Sequence, residues 1–224
     1  MKKTIRKILF LFRYRFIIKH KIQRTVSEKI GKFKFIVRPS VFNPKDYLSS
    51  EIFADFVSSL ELKDKYILDM GTGSGIISVF AASKGAKCFA ADINPASVES
   101  SIENAKNNGL ADKIIVIESN LFDAISTDKK FDLIFFGPPF YKGEPVNNFE
   151  RAFKGGNNLE VINDFLVQAK NYLKNDGKIY FIVSTDVDLD LFWNMLQQNW
   201  YKYETIKTVK KFFETFYIVE ACNY

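Results

Sequence analysis

Apolar positions change period along this chain, and the changes mark out its elements. Five short segments, residues 66–70, 87–91, 113–117, 131–136 and 178–184, are close to continuously apolar, as strands covered on both faces are. Between and around them, residues 47–60, 76–83, 95–108, 161–173 and 189–198 carry apolar side chains at every third or fourth position, which predicts helices. Pro95 suits a first helical turn, and Gly85 and Gly109 supply stops. The tripeptide Asn175-Asp176-Gly177 predicts a turn ahead of the fifth strand. Beyond it, residues 203–209 and 213–221 alternate like a final antiparallel pair, and residues 32–37 predict a short extra strand near the start. Strands alternating with helices predict a mostly parallel sheet, right-handed crossovers and helices on both faces.

Charge divides the chain in two. Through Arg38 there are thirteen Lys and Arg against Glu28 alone, a net +12, so the overall +6 leaves the remainder at −6. The expected organisation is a basic extension over residues 1–40 and one catalytic-type domain over residues 41–224. The extension has no apolar run longer than the five residues 8–12, far short of a membrane span or a signal-peptide core. Ile5, Ile8, Leu9, Phe12 and Phe16 fall at helical spacing with cations in the gaps. That pattern fits a docked helix, a contact with nucleic-acid phosphates, or a helix on an anionic membrane surface. The two cysteines, Cys88 and Cys222, each sit in an apolar run, which favours inert thiols and a cytoplasmic location. A single histidine, His20, and the lack of zinc-type Cys/His spacing argue against metal and imidazole chemistry.

The chemistry is concentrated where strands end. Asp69-Met70-Gly71-Thr72-Gly73-Ser74-Gly75 leaves the first strand of the alternating region, at the edge where ligands bind in open parallel sheets. Asp92 follows the second strand, placed to accept from two ribose hydroxyls, with Ile93 beside it and Asn94 as a helix cap. Asn120, followed by Leu121, sits after the third strand and can bond an adenine edge. A nicotinamide dinucleotide fits poorly: the spacing is GxGxG, not GxGxxG, and Asp69 would repel a pyrophosphate. A nucleoside with an amino-acid tail fits better, because Asp69 can receive its ammonium. After the fourth strand, Gly137-Pro138-Pro139-Phe140 makes a rigid corner: the prolines end the ladder, leave carbonyls unspent, and present a ring for stacking.

Taken in order, LDMGTGSG, ADINPASVESSIENAKNNGL, SNLFD, FDLIFFGPPF and FKGGNNLEVINDFL resemble the class I S-adenosylmethionine-dependent methyltransferases. Within them the chain is similar to the HemK-like release-factor glutamine methyltransferases and the related methyltransferase small-domain enzymes. The resemblance implies an α/β, Rossmann-like class I methyltransferase fold: a seven-stranded, mostly parallel sheet with helices on both faces and an antiparallel C-terminal hairpin. It implies S-adenosyl-L-methionine as cofactor, bound by Asp69, Gly71, Thr72, Gly73, Gly75, Asp92, Ile93, Asn120 and Leu121, and no metal. It implies a protein or RNA acceptor held by Gly137, Pro138, Pro139 and Phe140. The family pattern at this corner is Asn or Asp, two prolines and an aromatic, with the polar side chain and a proline carbonyl accepting two N–H bonds from the target nitrogen. Here Gly137 stands in the polar position. Asn147, Asn148 and Glu150 are candidate replacements. A carboxylate or small-molecule acceptor, or a cofactor-binding scaffold without turnover, are the alternatives that the glycine leaves open.

Overall fold

The structure, a computed structural model, describes residues 23–211 and 214–224. The helical pattern of the basic arm, His20 and Phe213 lie outside the described residues. Seven strands form one sheet in the order β5-β4-β3-β6-β7-β9-β8. They are β3 (Tyr66–Met70), β4 (Lys87–Asp92), β5 (Ile114–Glu118), β6 (Phe131–Phe136), β7 (Leu173–Ser184), β8 (Tyr201–Lys211) and β9 (Glu214–Asn223). The pairs β3–β4, β4–β5, β3–β6 and β6–β7 are parallel, while β9 runs antiparallel to both β7 and β8. The chain winds outward from β3 in one direction through β4 and β5, then in the other through β6 and β7. The crevice beyond the carboxyl ends therefore opens beside β3.

The unbroken apolar runs follow from two covered faces. Ile67, Phe135, Tyr180, Ile182 and Ile218 pack on one side with Phe53, Phe56 and Val57 of α1 (Leu48–Ser59) and Ile76 and Ile77 of α2 (Ile76–Ser83). The alternate residues Leu68, Ile134, Phe136 and Phe181 pack on the other with α5 (Glu160–Ala169) and α6 (Leu189–Gln198), through Phe165 and Phe192. A period of two along each strand thus supplies both cores. Among the described residues no helix is long and apolar enough to cross a membrane.

Two boundaries differ by more than two residues from the sequence expectation. The helix expected over residues 161–173 stops at Ala169 and tightens into a 3-10 turn, Lys170–Tyr172. Tyr172 stacks on Phe122 at 4.4 Å and donates its hydroxyl to the Ile125 carbonyl, which turns the chain into β7 early. The turn expected at Asn175-Asp176-Gly177 is absorbed in β7 as an irregularity: pairing jumps from Phe131 opposite Leu173 to Leu133 opposite Lys178. The early strand is β2 (Phe33–Val37), and its partner β1 (Val26–Ile30) was not foreseen.

This hairpin is bonded into the body by α3 (Pro95–Asn107). Asn104 Oδ1 accepts from Ile36 N–H at 2.7 Å and its Nδ2 donates to the Ile36 carbonyl at 2.9 Å; Asn108 does the same with Lys34 at 3.1 and 2.8 Å. Residues four apart on a helix match residues two apart on a strand, so the polar row closes the free edge of β2.

Candidate active site

Every strand-end motif opens on one cavity of about 1110 Å³ at the carboxyl edge of the sheet. Asp69, the penultimate residue of β3, is buried. Its Oδ2 accepts from Thr72 Oγ1 at 2.6 Å, Ser78 N–H at 3.0 Å and Ser78 Oγ at 2.7 Å. Burial raises its carboxyl above the usual range despite those donors. Asp92 is held by two backbone donors and the Ser97 hydroxyl: Oδ2 accepts from Gly73 N–H at 2.8 Å and Oδ1 from Asn94 N–H at 2.9 Å. Burial pushes its pKa up to about 6. A carboxylate fixed in this way, its charge still penalised by burial and facing a cavity, is disposed to take hydroxyl hydrogens from a ligand.

The glycine loop is shaped by local demands. Gly71 and Thr72 donate their N–H groups to the Ala91 carbonyl at 2.8 and 3.0 Å, which lays the loop across the end of β4. Gly75, expected on the cofactor, does not line the cavity. It sits behind the loop at the start of α2 with φ +79°, where a Cβ would lie 2.6 Å from Ser101 Oγ. Close packing against α3 requires that glycine. Asn104 reaches the same loop by donating to the Ser74 carbonyl at 2.9 Å, so one buried amide ties hairpin, helix and loop together. Gly71, Thr72, Gly73, Ile93, Asn120 and Leu121 all line the cavity. Asn120 is exposed at the rim, with its Nδ2 3.3 Å from Asp123 Oδ2, and Leu121 turns the chain with φ +49°.

The corner at residues 137–140 lines the same cavity. Gly137 is exposed, Pro138 and Pro139 are buried, and Phe140 is partly buried against the second core. Among the described residues, no hydrogen bond is made to the carbonyl of Pro138. The corner is braced from behind by a clasped loop. Tyr141 N–H donates to Phe153 O at 2.7 Å, Gly155 N–H to Tyr141 O at 3.0 Å and Gly143 N–H to Gly156 O at 3.0 Å. A Cβ on Gly155 would approach the Pro139 carbonyl to 2.8 Å, so the loop closes only with glycine there.

Of the three proposed replacements for the missing acceptor, only Asn148 lines the cavity. Asn147 caps the short helix α4 (Asn148–Arg151) by accepting from Glu150 N–H at 2.9 Å. Glu150 is bonded to Lys154 at 2.8 Å and to Val146 N–H at 3.1 Å. The sequence reading also missed the roof. Phe42 stacks on Tyr47 at 4.2 Å, and both rings meet Phe153 at 5.3 Å, joining the segment before α1 to the clasped loop. The aromatic spacing carried no period that would have marked it.

A cavity of this size, with one carboxylate at each of the first two strand ends, has room for an adenosine bearing an amino-acid tail. No group of His, Cys, Asp and Glu among the described residues could hold a metal ion. Residues 32–215 match the methyltransferase small domain family. A protein of Methanocaldococcus jannaschii named as a protein N5-glutamine methyltransferase is 31% identical over 199 residues, 86% of this chain and 97% of its own. The release factor glutamine methyltransferase of Fusobacterium nucleatum is 32% identical over 151 residues, 62% of this chain but 42% of that protein. In three dimensions, the 16S rRNA N2 G1207 methyltransferase of T. thermophilus, solved with AdoMet and guanosine, superposes with a TM-score of 0.68 at 22% identity, over 90% of this chain and 50% of that one. This chain belongs to the methyltransferase small domain family and is an S-adenosylmethionine-dependent methyltransferase of the class I fold.

Proposed function

We propose that the protein methylates a nitrogen, of a protein side chain or an RNA base, held at the corner Gly137–Phe140. The observation that carries this reading is the shared cavity: the Pro138–Pro139 bend and Phe140 open on the same space as Asp69, Gly71–Gly73 and Asp92. S-adenosylmethionine supplies an electrophilic methyl on a sulfonium. Asp92 accepts from the ribose hydroxyls, Asp69 draws the ammonium side inward, and Ile93, Asn120 and Leu121 border the adenine. Pro138 offers its carbonyl to an N–H of the acceptor, and Phe140 supports the acceptor's flat or cationic face. Displacement of this kind needs neither a metal nor a covalent link to the protein. Two relatives named as glutamine methyltransferases support nitrogen as the atom methylated. The two free cysteines suit a reducing compartment, and we place the enzyme in the cytoplasm.

The test is incubation of the full chain with methyl-tritiated cofactor and whole-cell extract, followed by fractionation into protein, RNA and small solutes. Label on nitrogen in protein or RNA, incorporated about ten- to a hundredfold more slowly in Phe140→Ala, is the expected result. Label carried only as a methyl ester or in small solutes refutes the reading.

A further inference from the structure

The cavity carries more negative charge than cofactor binding accounts for. Asp69 and Asp92 stand on the cofactor side. Beyond them, Glu144 of the clasped loop, Asp186 after β7 and Glu214 at the head of β9 line the same space. The cations lining it are Arg151 and Lys154, and Lys154 is bonded to Glu150 at 2.8 Å. A phosphodiester chain or a free carboxylate entering here meets repulsion, while a cation is drawn in.

Gly137 points the same way on independent grounds. Its backbone lies in a region open to any residue, and a Cβ added there would touch Ile182 Cγ2 at 3.4 Å, an ordinary contact. The fold tolerates a polar side chain at this position, and the chain has none. In an amide or an aromatic amine the nitrogen lone pair is delocalised, so two acceptors are needed to turn it toward the methyl carbon. An aliphatic amine has a localised lone pair. It needs one proton removed, one carbonyl to orient it and a negative surface to dock its charge. The Pro138 carbonyl, the ring of Phe140 and the surrounding carboxylates supply those, a cation over an aromatic face being favourable in itself. Val146, 79% exposed beside the cavity-lining Pro145, adds an apolar surface at the mouth suited to a polypeptide neighbour.

We infer that the acceptor is an aliphatic amine of a protein, a lysine side chain or a chain N-terminus, docked as a cation between Phe140 and Glu214. The inference rests on the nitrogen-methylation reading above. The ammonium gives one proton to water at the open mouth. Its lone pair then forms the N–C bond to the methyl group as the C–S bond breaks with its electron pair left on sulfur. A methylammonium and a neutral thioether result.

Two measurements test it. Saturation-transfer NMR on the full chain without cofactor, with n-butylamine and butyramide as probes, should show transfer to the amine alone. Glu214→Gln should raise the half-saturating amine concentration about tenfold. Equal transfer to butyramide, or an unchanged response in Glu214→Gln, overturns the assignment. In the labelling experiment, acid hydrolysis of the protein fraction should yield methyl-lysine or an Nα-methylated residue. Label released as methylamine from glutamine, or found on a nucleoside, overturns the amine while leaving nitrogen methylation standing. Label on oxygen alone, or cofactor binding with no transfer at all, overturns both.

Discussion

Asp92→Asn probes the proposed cofactor seat through a charge held by Gly73 N–H, Asn94 N–H and the Ser97 side chain beside the buried Asp69. One oxygen takes the Gly73 N–H and the other the Asn94 N–H, yet burial still lifts the pKa from 3.8 to about 6. That rise of roughly two units corresponds to about 3 kcal/mol of unfavourable charge burial in the cofactor-free protein. On the proposed assignment, ribose hydroxyls donating to the same oxygens relieve it, each charge-assisted bond contributing roughly 1.5–3 kcal/mol. With the bound-state pKa returned to about 4, protons and ribose compete for the carboxylate, and affinity falls about tenfold between pH 7 and pH 5. Asp92→Asn should cost about 1–3 kcal/mol of affinity at pH 7 and flatten that slope. Titration calorimetry with S-adenosylhomocysteine at pH 5, 6 and 7 reads both effects. A wild-type affinity constant over this range, or a slope undiminished in the variant, refutes the assignment of Asp92 to the ribose. The stability of the cofactor-free protein carries the complementary signature. A carboxylate with a raised folded-state pKa withdraws stability as pH climbs from about 4 to about 6. Wild type should therefore lose ground to Asp92→Asn across that window.

Gly75→Ala forces a Cβ into φ +79° and to within 3.2 Å of Ser101 Cα, so urea denaturation should show a loss of about 2–3 kcal/mol; an unchanged midpoint contradicts the packing argument. Asn104→Ala removes the bonds to Ile36 N–H, Ile36 O and Ser74 O, leaving buried groups unpaired, and should cost about 2–4 kcal/mol. Cofactor affinity should fall with it, since Ser74 belongs to the glycine loop. Gly155→Ala pushes against the Pro139 carbonyl at 2.8 Å and should lower kcat about tenfold. The cofactor Kd should stay within about twofold because the cofactor side is untouched. Phe140→Ala should lower kcat/KM for the acceptor by about ten- to a hundredfold at constant cofactor Kd; loss of cofactor binding instead would move Phe140 to the other half of the cavity.

The legible parts of this protein are those where one residue type answers one local demand. A continuous apolar run such as Phe131–Phe136 has few homes other than a strand covered on both faces, and that strand is found with the expected bounds. The expected helix starts at Ile76 and Pro95 match the structure, because a glycine turn and a proline announce them. Strand ends in a parallel sheet share one edge, so the sequence by itself assigns Asp69, Asp92 and Asn120 to a common crevice, which all three line. The sequence read alone therefore determined the alternation, the edge that carries the chemistry, and the residues that stand on it.

Only the tertiary structure decided which of those residues face the cavity and which hold it up. Gly75 and Asp69 lie in one short motif, yet one meets Ser101 behind the loop while the other lines the site, a difference set by α3 packing from 26 residues further along the chain. Asn104 and Asn108 look like ordinary surface residues of a helix until β2 is brought beside them. Asn147 and Glu150 look available as acceptors until the short helix and Lys154 consume them. The roof of Phe42, Tyr47 and Phe153 joins segments about a hundred residues apart, and such a contact leaves no periodic trace. Periodicity and turn chemistry act over a few residues and can be read along a line. The partner of a side chain is fixed by where distant elements meet, which is a property of the packed molecule.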